Sequence, residues 1–136
     1  MNVLVTGGAG FIGTHTVLRF GKNHSVLAVD NLSRKGSENN LDWLKKNARF
    51  QFEKVDVTDS KTLEKYFKDF KPEAVIHLAA QVAVTTSVTN PRSDFEINAL
   101  GTFNVLEALR KHAPNAFFLY SSTNKVYGGM EDTKVE

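Results

Sequence analysis

The sequence predicts an α/β protein in which helices cover both faces of a doubly wound parallel sheet. Short β-branched runs alternate with segments whose apolar residues recur at helical spacing, and neither repeats nor linkers interrupt this alternation. A glycine cluster directly follows the first run. Because crossovers between parallel strands are right-handed, the predicted order of the strands across the sheet is 3-2-1-4-5.

Five runs of mainly apolar residues predict the strands. In chain order they read "NVLVT", "SVLAVD", "RFQFEKVDV", "EAVIHLAA" and "AFFLYSS". The first run ends near Thr6, immediately before the glycines. Because both faces of such a sheet are covered, continuous apolar runs are the expected pattern.

The segments between the first three strands predict two helices. The first covers residues 10–20, with Ile12, Val17 and Phe20 available for packing, and Gly21 ends it. The second is a shorter helix over residues 37–47, which Leu41, Trp43 and Leu44 suggest between flanks rich in Asn and Lys.

Two further helices are predicted from capping residues. Asp59 or Ser60 can cap a helix that Pro72 ends, and its apolar residues recur at helical spacing. Asn90 caps and Pro91 opens a long helix that runs to about residue 112. The apolar residues along one side of this long helix are Phe95, Ala99, Phe103 and Leu106.

Composition and charge exclude several classes of function. The 17 basic and 15 acidic residues give a net charge of +2, so we expect no nucleic-acid partner. The chain has no cysteine, which excludes disulfides and thiolate zinc sites, and its 4 histidines are not paired with carboxylates, so we expect no metal. The longest apolar run, residues 74–84, is too short to span a bilayer. Without a basic leader at the N-terminus, we expect a cytoplasmic domain with no membrane partner.

The glycines of "TGGAGFIG" are spaced GxxGxxG at Gly7, Gly10 and Gly13. Gly7 permits a tight turn, Gly10 leaves room for a pyrophosphate to approach backbone N–H groups, and Gly13 lets the helix pack against the sheet. The helix N-terminus then faces the anion with its partial positive charge. A simple glycine turn is the alternative, and the flanking strand and helix favour a dinucleotide site.

A dinucleotide site also needs a group that holds the adenosine ribose, typically a carboxylate at the end of the second strand. Asp30 stands there and can accept both ribose hydroxyls, while its charge would repel the 2′-phosphate of NADP. NAD is therefore the predicted cofactor, although Arg34 and Lys35 leave some tolerance for NADP. A loop cap is the alternative role for Asp30.

Asp56 ends the third predicted strand, within "VDVTD". At that place its carboxylate can accept from the adenine amino group, while the backbone of Val57 donates or accepts beside it. An Asx turn before the helix that begins near Asp59 is the alternative. The two roles of Asp56 are compatible.

Six motifs in this order resemble a known family. The series "TGGAGFIG", "VDN", "VDVTD", "HLAA", "INALGT" and "SSTNKVYG" resembles the N-terminal part of an extended short-chain dehydrogenase/reductase, the group that includes nucleotide-sugar epimerases and dehydratases. The resemblance covers nearly the whole chain and implies a Rossmann-like fold with NAD as cofactor. Residues 77–110, together with "SSTNKVYG", are most similar to the CDP-paratose (CDP-tyvelose) 2-epimerases.

The resemblance implies the remaining cofactor contacts. Near the glycine loop and the adenosine they are Phe11, Ile12, Asn31, Ser33 and Arg34. Along the pyrophosphate and the nicotinamide ribose they are Leu78, Ala79 and Ala80, and Val82 follows them. Galactose epimerases carry a lysine at the position of Val82, so one contact to NAD is lost or replaced here. Asn98, from the long helix, would support the backbone of the site.

The resemblance gives Thr123 the role of the family's serine or threonine, which hydrogen-bonds the substrate hydroxyl being oxidised. The family's general base is the tyrosine of a Tyr-x-x-x-Lys pair, whose lysine lowers the tyrosine pKa. None of the 3 tyrosines, Tyr66, Tyr120 and Tyr127, is followed by that lysine. Tyr127 is expected to pack at a turn. We therefore expect residues 1–136 to be the NAD-binding domain of a longer enzyme, without its substrate domain and inactive alone.

The residues after Thr123 bear on the type of reaction. Related dehydratases carry an Asp-Glu pair there, whereas this chain has Asn124 and Lys125. This favours an epimerase that oxidises a CDP-linked sugar transiently with NAD and then reduces it again. Other nucleotide-sugar epimerases, dehydratases and a non-catalytic NAD-binding module are the alternatives. We also expect a homo-oligomer, since the fifth strand would be an uncovered sheet edge.

Overall fold

The structure, a computed structural model, describes residues 1–123. Within them, five parallel strands form one sheet in the order β3-β2-β1-β4-β5, which confirms the predicted topology. The central strand β1 is flanked by β2 and β4, so its residues are buried from Val3 to Thr6. The strands are β1 Asn2–Thr6, β2 Ser25–Asp30, β3 Gln51–Lys54, β4 Ala74–His77 and β5 Phe117–Tyr120.

Helices cover both faces of the sheet, as the doubly wound fold requires. On one face, Val3 and Val5 of the central strand pack with residues of α1 and α2. On the other face, Leu4 packs with residues of α3 and α6. The helices are α1 Phe11–Phe20, α2 Ser37–Asn47, α3 Ser60–Phe70, α4 Val84–Thr89, α5 Pro91–Phe95 and α6 Gly101–His112.

Strand β3 is shorter than the predicted run of residues 49–57. Its neighbour β2 ends at Asp30, which pairs with Lys54, so residues after Lys54 have no residue of β2 to pair with. Beyond it, the Asp56 carboxylate accepts from the N–H of Thr58 at 2.9 Å, and this turn takes the chain away from the sheet.

The long predicted helix consists of two α-helices joined by a π-helical turn. Asn90 caps it as predicted, since its side-chain oxygen accepts from the Ser93 N–H at 3.1 Å. Helices α5 and α6 are joined by a π-helical turn over Glu96–Leu100. The short helix α4, which precedes Asn90, was not predicted.

The side of α6 that packs on the sheet is not the side with the large apolar residues. Gly101 is buried, and a Cβ there would lie 2.6 Å from the Val57 Cγ2, so the helix comes close to the segment that follows β3. The buried residues of α6 are Gly101, Asn104, Val105 and Ala108. The exposed residues of the predicted apolar side are Phe95, Ala99, Phe103 and Leu106.

The first turn of α1 also differs from the prediction. Ile12 is 61% exposed rather than packed, while Val17 is fully buried. Gly13 and Thr14 are buried where the helix meets the sheet, and they leave Ile12 outside that contact.

Strand β5 forms one edge of the sheet. Phe117 is 65% exposed and Tyr120 is 51% exposed, so the described part of the chain leaves this apolar edge uncovered. Within residues 1–123, no helix is both long and apolar enough to cross a bilayer.

Candidate functional site

The crevice at the carboxyl ends of β1 and β4 is where the sheet changes its direction of winding. The two strands end side by side, with Thr6 opposite His77. From there β1 leads into the glycine loop and β4 leads into residues 78–83. Both loops border one crevice, which is the usual ligand site of this fold.

The glycine loop contains two positions that only glycine satisfies. Gly7 has a φ of +67°, and a Cβ there would lie 2.8 Å from the backbone nitrogen of Ala79. A Cβ on Gly13 would overlap the carbonyl oxygen of Gly7 and lie 2.8 Å from the Cα of Gly8. The loop is therefore packed between α1 and the end of β4.

The N-terminus of α1 offers uncapped backbone donors. The N-cap residue is Gly10, which has no side chain to accept a hydrogen bond, and the first turn contains no acidic residue. The N–H groups of Phe11, Ile12 and Gly13 have no partners within the helix, and the helix dipole adds partial positive charge at this end. This donor set fits an anion such as a pyrophosphate. Phe11 and Ile12 would contribute through the main chain, because both side chains are largely exposed.

The carboxylate of Asp30 is hydrogen-bonded to the glycine loop. Its Oδ2 accepts from the N–H of Ala9 at 3.0 Å, and its Oδ1 accepts from the N–H of Leu32 at 2.8 Å. The second bond is the loop cap considered as the alternative role, and it holds Leu32 at a φ of +58°. Each oxygen can accept one more hydrogen bond, so acceptors remain for a pair of hydroxyls.

Helix α2 anchors the same loop from the opposite side. The Asn40 side chain donates to the carbonyl oxygen of Ala9 at 2.9 Å. The backbone of Ala9 is thus held at its N–H by Asp30 and at its carbonyl by Asn40. Sequence reasoning missed Asn40, because no local pattern links it to a loop 31 residues away.

Asn31 and Asp56 connect the ends of β2 and β3. The Asn31 side chain donates to Asp56 Oδ2 at 2.8 Å, and the Thr58 N–H and hydroxyl donate to Oδ1. Burial would raise the pKa of Asp56, but these hydrogen bonds from Asn31 and Thr58 outweigh it and lower the pKa below its usual value. The Asx turn is therefore present, and one acceptor position on Oδ2 remains for a ligand.

The other predicted adenosine contacts lie around this pair. Val57 is buried, and its carbonyl accepts from the Asn104 side chain at 3.0 Å. The N–H of Ser33 donates to Asn31 Oδ1 at 3.0 Å, while the side chains of Ser33 and Arg34 are exposed.

The end of β4 lies against the glycine loop. The N–H groups of Leu78 and Ala79 both lie 3.2 Å from the Thr6 hydroxyl oxygen. Leu78 and Ala79 are half-buried, whereas Ala80 and Val82 are exposed. Sequence reasoning missed Thr6, because its partners are more than 70 residues away.

Asn98 clamps the backbone that follows β4. Its Oδ1 accepts from the N–H of Gln81 at 2.8 Å, and its Nδ2 donates to the carbonyl of Gln81 at 2.9 Å. The same Nδ2 reaches Asp94 Oδ1 at 3.1 Å, and Ser87 donates to that oxygen at 2.7 Å. The side-chain amide of Asn98 is therefore hydrogen-bonded within the protein rather than directed to solvent.

Thr123 follows β5 and is exposed at the same edge of the sheet. The preceding N–H of Ser121 donates to the His77 carbonyl at 3.2 Å, which keeps this segment beside β4. Asn124, Lys125 and Tyr127 lie outside the described residues. Within residues 1–123, no group of three histidine, aspartate or glutamate side chains is arranged to hold a metal ion.

A family model described as GDP-mannose 4,6 dehydratase matches residues 4–136 of the chain. The chain is 43% identical over 135 residues to CDP-paratose 2-epimerase of Salmonella typhi, covering 98% of this chain and 40% of that protein. It is 36% identical over 140 residues to dTDP-glucose 4,6-dehydratase of Salmonella typhimurium, covering 96% of this chain and 39% of that protein.

A solved structure has the same fold. UDP-glucose 4-epimerase from Bifidobacterium longum, crystallised in complex with NAD+ and UDP, superposes with a TM-score of 0.85 at 34% identity. The match covers 94% of this chain and 38% of that one. The chain thus spans about 40% of the length of the curated relatives it matches. With this fold, glycine loop and family match, the chain belongs to the epimerase and dehydratase family that the GDP-mannose 4,6 dehydratase model describes.

Proposed function

We propose that this chain binds NAD at the carboxyl ends of β1 and β4, as the cofactor-binding domain of a nucleotide-sugar epimerase. The observation that carries the proposal is the hydrogen bond of 3.0 Å between Asp30 Oδ2 and the Ala9 N–H. It joins the acceptor for the adenosine ribose to the loop that would hold the pyrophosphate. The two halves of a dinucleotide site are therefore one preorganised unit.

The charge of Asp30 supports NAD over NADP. A carboxylate that accepts from ribose hydroxyls would stand beside the 2′-phosphate of NADP, where like charges repel. Arg34 and Lys35 are exposed and offer that phosphate only partial compensation. When bound, NAD would take up hydride from the sugar and later return it. The chain's own residues would bind and orient it: Phe11, Ile12 and Gly13 through N–H groups, Asp30 at the ribose, and Asp56 with Val57 at the adenine.

Epimerisation is the reaction that the sequence near Thr123 supports. Thr123 would orient the hydroxyl to be oxidised, and Asn124 and Lys125 lack the carboxylates that an elimination of water requires. The similarity to CDP-paratose 2-epimerase supports a CDP-linked sugar as substrate. A dehydratase, another nucleotide-sugar epimerase and a non-catalytic NAD-binding module are the other candidates, and the similarity to dTDP-glucose 4,6-dehydratase favours the first of these.

The 136 residues alone are not expected to turn over a sugar. No tyrosine in them is followed by a lysine four residues later, so a general base for the hydroxyl proton is lacking. We propose the cytoplasm as the location, because a protein without cysteine forms no disulfides and so needs no oxidising compartment.

The exposed apolar side of the long helix supports association with a second copy. Phe95 is 64% exposed and Phe103 is 58% exposed, on the side that carries Ala99 and Leu106. The family resemblance implies dimerisation through this helix. The uncovered edge of β5 is the competing surface for two copies.

Calorimetric titration of the chain with NAD and with NADP tests the cofactor proposal. We expect NAD to bind more tightly, and we expect Asp30→Asn, which keeps only one acceptor oxygen, to weaken NAD by about 1–3 kcal/mol. Asp42→Asn is the matched control, since Asp42 is an exposed carboxylate on α2 that pairs with Lys45. Equal affinities for NAD and NADP in the wild-type chain would contradict the role of Asp30.

A further inference from the structure

A buried chain of polar groups lies beneath the crevice. Thr6 Oγ1 lies 2.6 Å from His77 Nδ1, and His77 Nε2 lies 3.0 Å from Thr102 Oγ1. Thr102 Oγ1 lies 2.7 Å from the carbonyl oxygen of Asn98. Thr6 is 0% exposed and His77 is 1% exposed, so these groups must find their partners within the protein.

The carbonyl at the end of this chain fixes the tautomer of a neutral His77 ring. The Asn98 oxygen can only accept, so the single hydroxyl proton of Thr102 points to it. Thr102 Oγ1 must then accept from His77, which places the imidazole proton on Nε2. In a neutral ring His77 Nδ1 is then an acceptor, and the Thr6 hydroxyl donates to it. A neutral His77 therefore has one defined tautomer, with its proton on Nε2.

The two remaining lone pairs of Thr6 Oγ1 face the backbone after β4. They accept from the N–H groups of Leu78 and Ala79, each at 3.2 Å. The Leu78 N–H also lies 3.2 Å from the Thr6 carbonyl oxygen, so it has two acceptors. Within residues 1–123, the Ala79 N–H has the Thr6 hydroxyl as its one acceptor. The Ala79 nitrogen would lie only 2.8 Å from a Cβ on Gly7, so this peptide touches the glycine loop.

We propose that His77 is a positioning residue of the cofactor site, which acts through Thr6 to hold the peptide of Leu78 and Ala79 against Gly7. This inference rests on the proposed NAD site. A proton on Nδ1 would give three N–H donors for the two lone pairs of Thr6 Oγ1. The Nδ1–H would then compete with the Ala79 N–H for the hydroxyl oxygen, and Ala79 has no second acceptor within residues 1–123, whereas Leu78 can still donate to the Thr6 carbonyl.

The surroundings of His77 favour the neutral ring. The ring of Phe118 stacks on it at a centroid distance of 6.2 Å, and the ring of Tyr120 stacks at 5.9 Å. An imidazolium in this place would be separated from water without a carboxylate beside it among its hydrogen-bond partners.

The tautomer can be measured directly in the ligand-free 136-residue chain. Nitrogen-15 NMR of the histidine rings distinguishes a proton on Nε2, a proton on Nδ1 and an imidazolium. We expect the Nε2–H form for His77 at neutral pH. Either other form would overturn the proposal, and this measurement needs neither a variant nor NAD.

A pair of variants then tests the action on the cofactor site. Thr102→Val removes the acceptor for Nε2–H at almost constant volume, while Thr102→Ser retains it. We expect hydrogen exchange at the Ala79 amide to be about tenfold faster in Thr102→Val, and NAD affinity about tenfold weaker, with Thr102→Ser close to wild type. Equal exchange in the two variants would overturn the proposal, and so would faster exchange with unchanged NAD affinity.

NAD binding by the chain and the positioning of the Ala79 peptide by His77 are tested separately. If the wild-type chain binds no NAD, the proposed function is overturned, and with it the cofactor role of His77. The tautomer and the exchange of the Ala79 amide are measured without NAD, so they still decide whether His77 positions that peptide. If Thr102→Val does not fold, the wild-type tautomer alone decides it.

Discussion

Acidification should destabilise this fold through His77. Burial lowers the pKa of His77 from 6.5 to about 4. Between these values the unfolded chain binds a proton that the folded chain does not, so stability is present at neutral pH and is lost as the pH falls. For one such group, the expected loss in free energy of unfolding from about pH 7 to about pH 5 is about 2 kcal/mol.

Urea unfolding followed by circular dichroism at a series of pH values measures this loss. His77→Gln is the comparison, because it removes the titrating group and leaves the other histidines and carboxylates in place. We expect the variant to be less stable at neutral pH and to lose about 2 kcal/mol less than wild type over the same range. Parallel pH profiles for the two proteins would refute the reasoning, since they would mean that His77 titrates alike in the folded and unfolded chains.

Three further predictions concern stability and association. Gly13→Ala should lower the free energy of unfolding by about 3 kcal/mol, because the added methyl group meets backbone atoms. Gly36→Ala should lower it by only about 1 kcal/mol, because Gly36 has a φ of +94° but nothing within 4 Å of an added Cβ. Urea unfolding that ranks the two variants in reverse contradicts this. Asp59→Ala should lower stability by about 1 kcal/mol, because the N-cap bond to α3 disappears, and an unchanged melting curve would show that water replaces it. Sedimentation velocity should show self-association that Phe103→Glu weakens and Leu119→Lys does not; the opposite result assigns the contact to the β5 edge.

Local signals were sufficient to predict most of the fold. The bounds of β2 and α2 agree with the predicted segments, and Asp59 and Asn90 cap their helices as predicted. These features depend on residues within one turn of each other. The strand order followed in turn, because the handedness of crossovers leaves few arrangements once strands and helices alternate.

The orientation of the long helix could not be predicted in this way. Phe95 and Phe103 form a regular apolar side, and such a side is the usual sign of core packing. The buried side instead carries Gly101 and Ala108, and the absence of a Cβ on Gly101 lets the helix come close to Val57. Periodicity reports where apolar residues lie on a helix but not which of two surfaces the protein buries. Helix α4 escaped prediction because its sequence, "VTTSVT", consists of poor helix formers.

The candidate site shows the same difference between residues found from local spacing and residues that only the fold brings together. The glycines and Asp30 were found because their spacing to a strand and a helix is fixed by local geometry. The anchor from Asn40 and the chain from Thr6 through His77 to Thr102 join segments distant in sequence. Only the folded sheet brings these side chains together, so no pattern in the sequence points to them.

The order of strands in the sheet has a consequence for synthesis on the ribosome. The central strand pairs with β2 early, but its other neighbour is β4, where the partner of Thr6 is His77. At a usual rate of about 5–20 residues per second, several seconds separate the synthesis of these two partners. During that interval one edge of β1 is apolar and unpaired, which is the condition in which nascent chains aggregate or recruit chaperones. Slowing translation between β2 and β4 should therefore lower the yield of folded protein more than slowing it after β5.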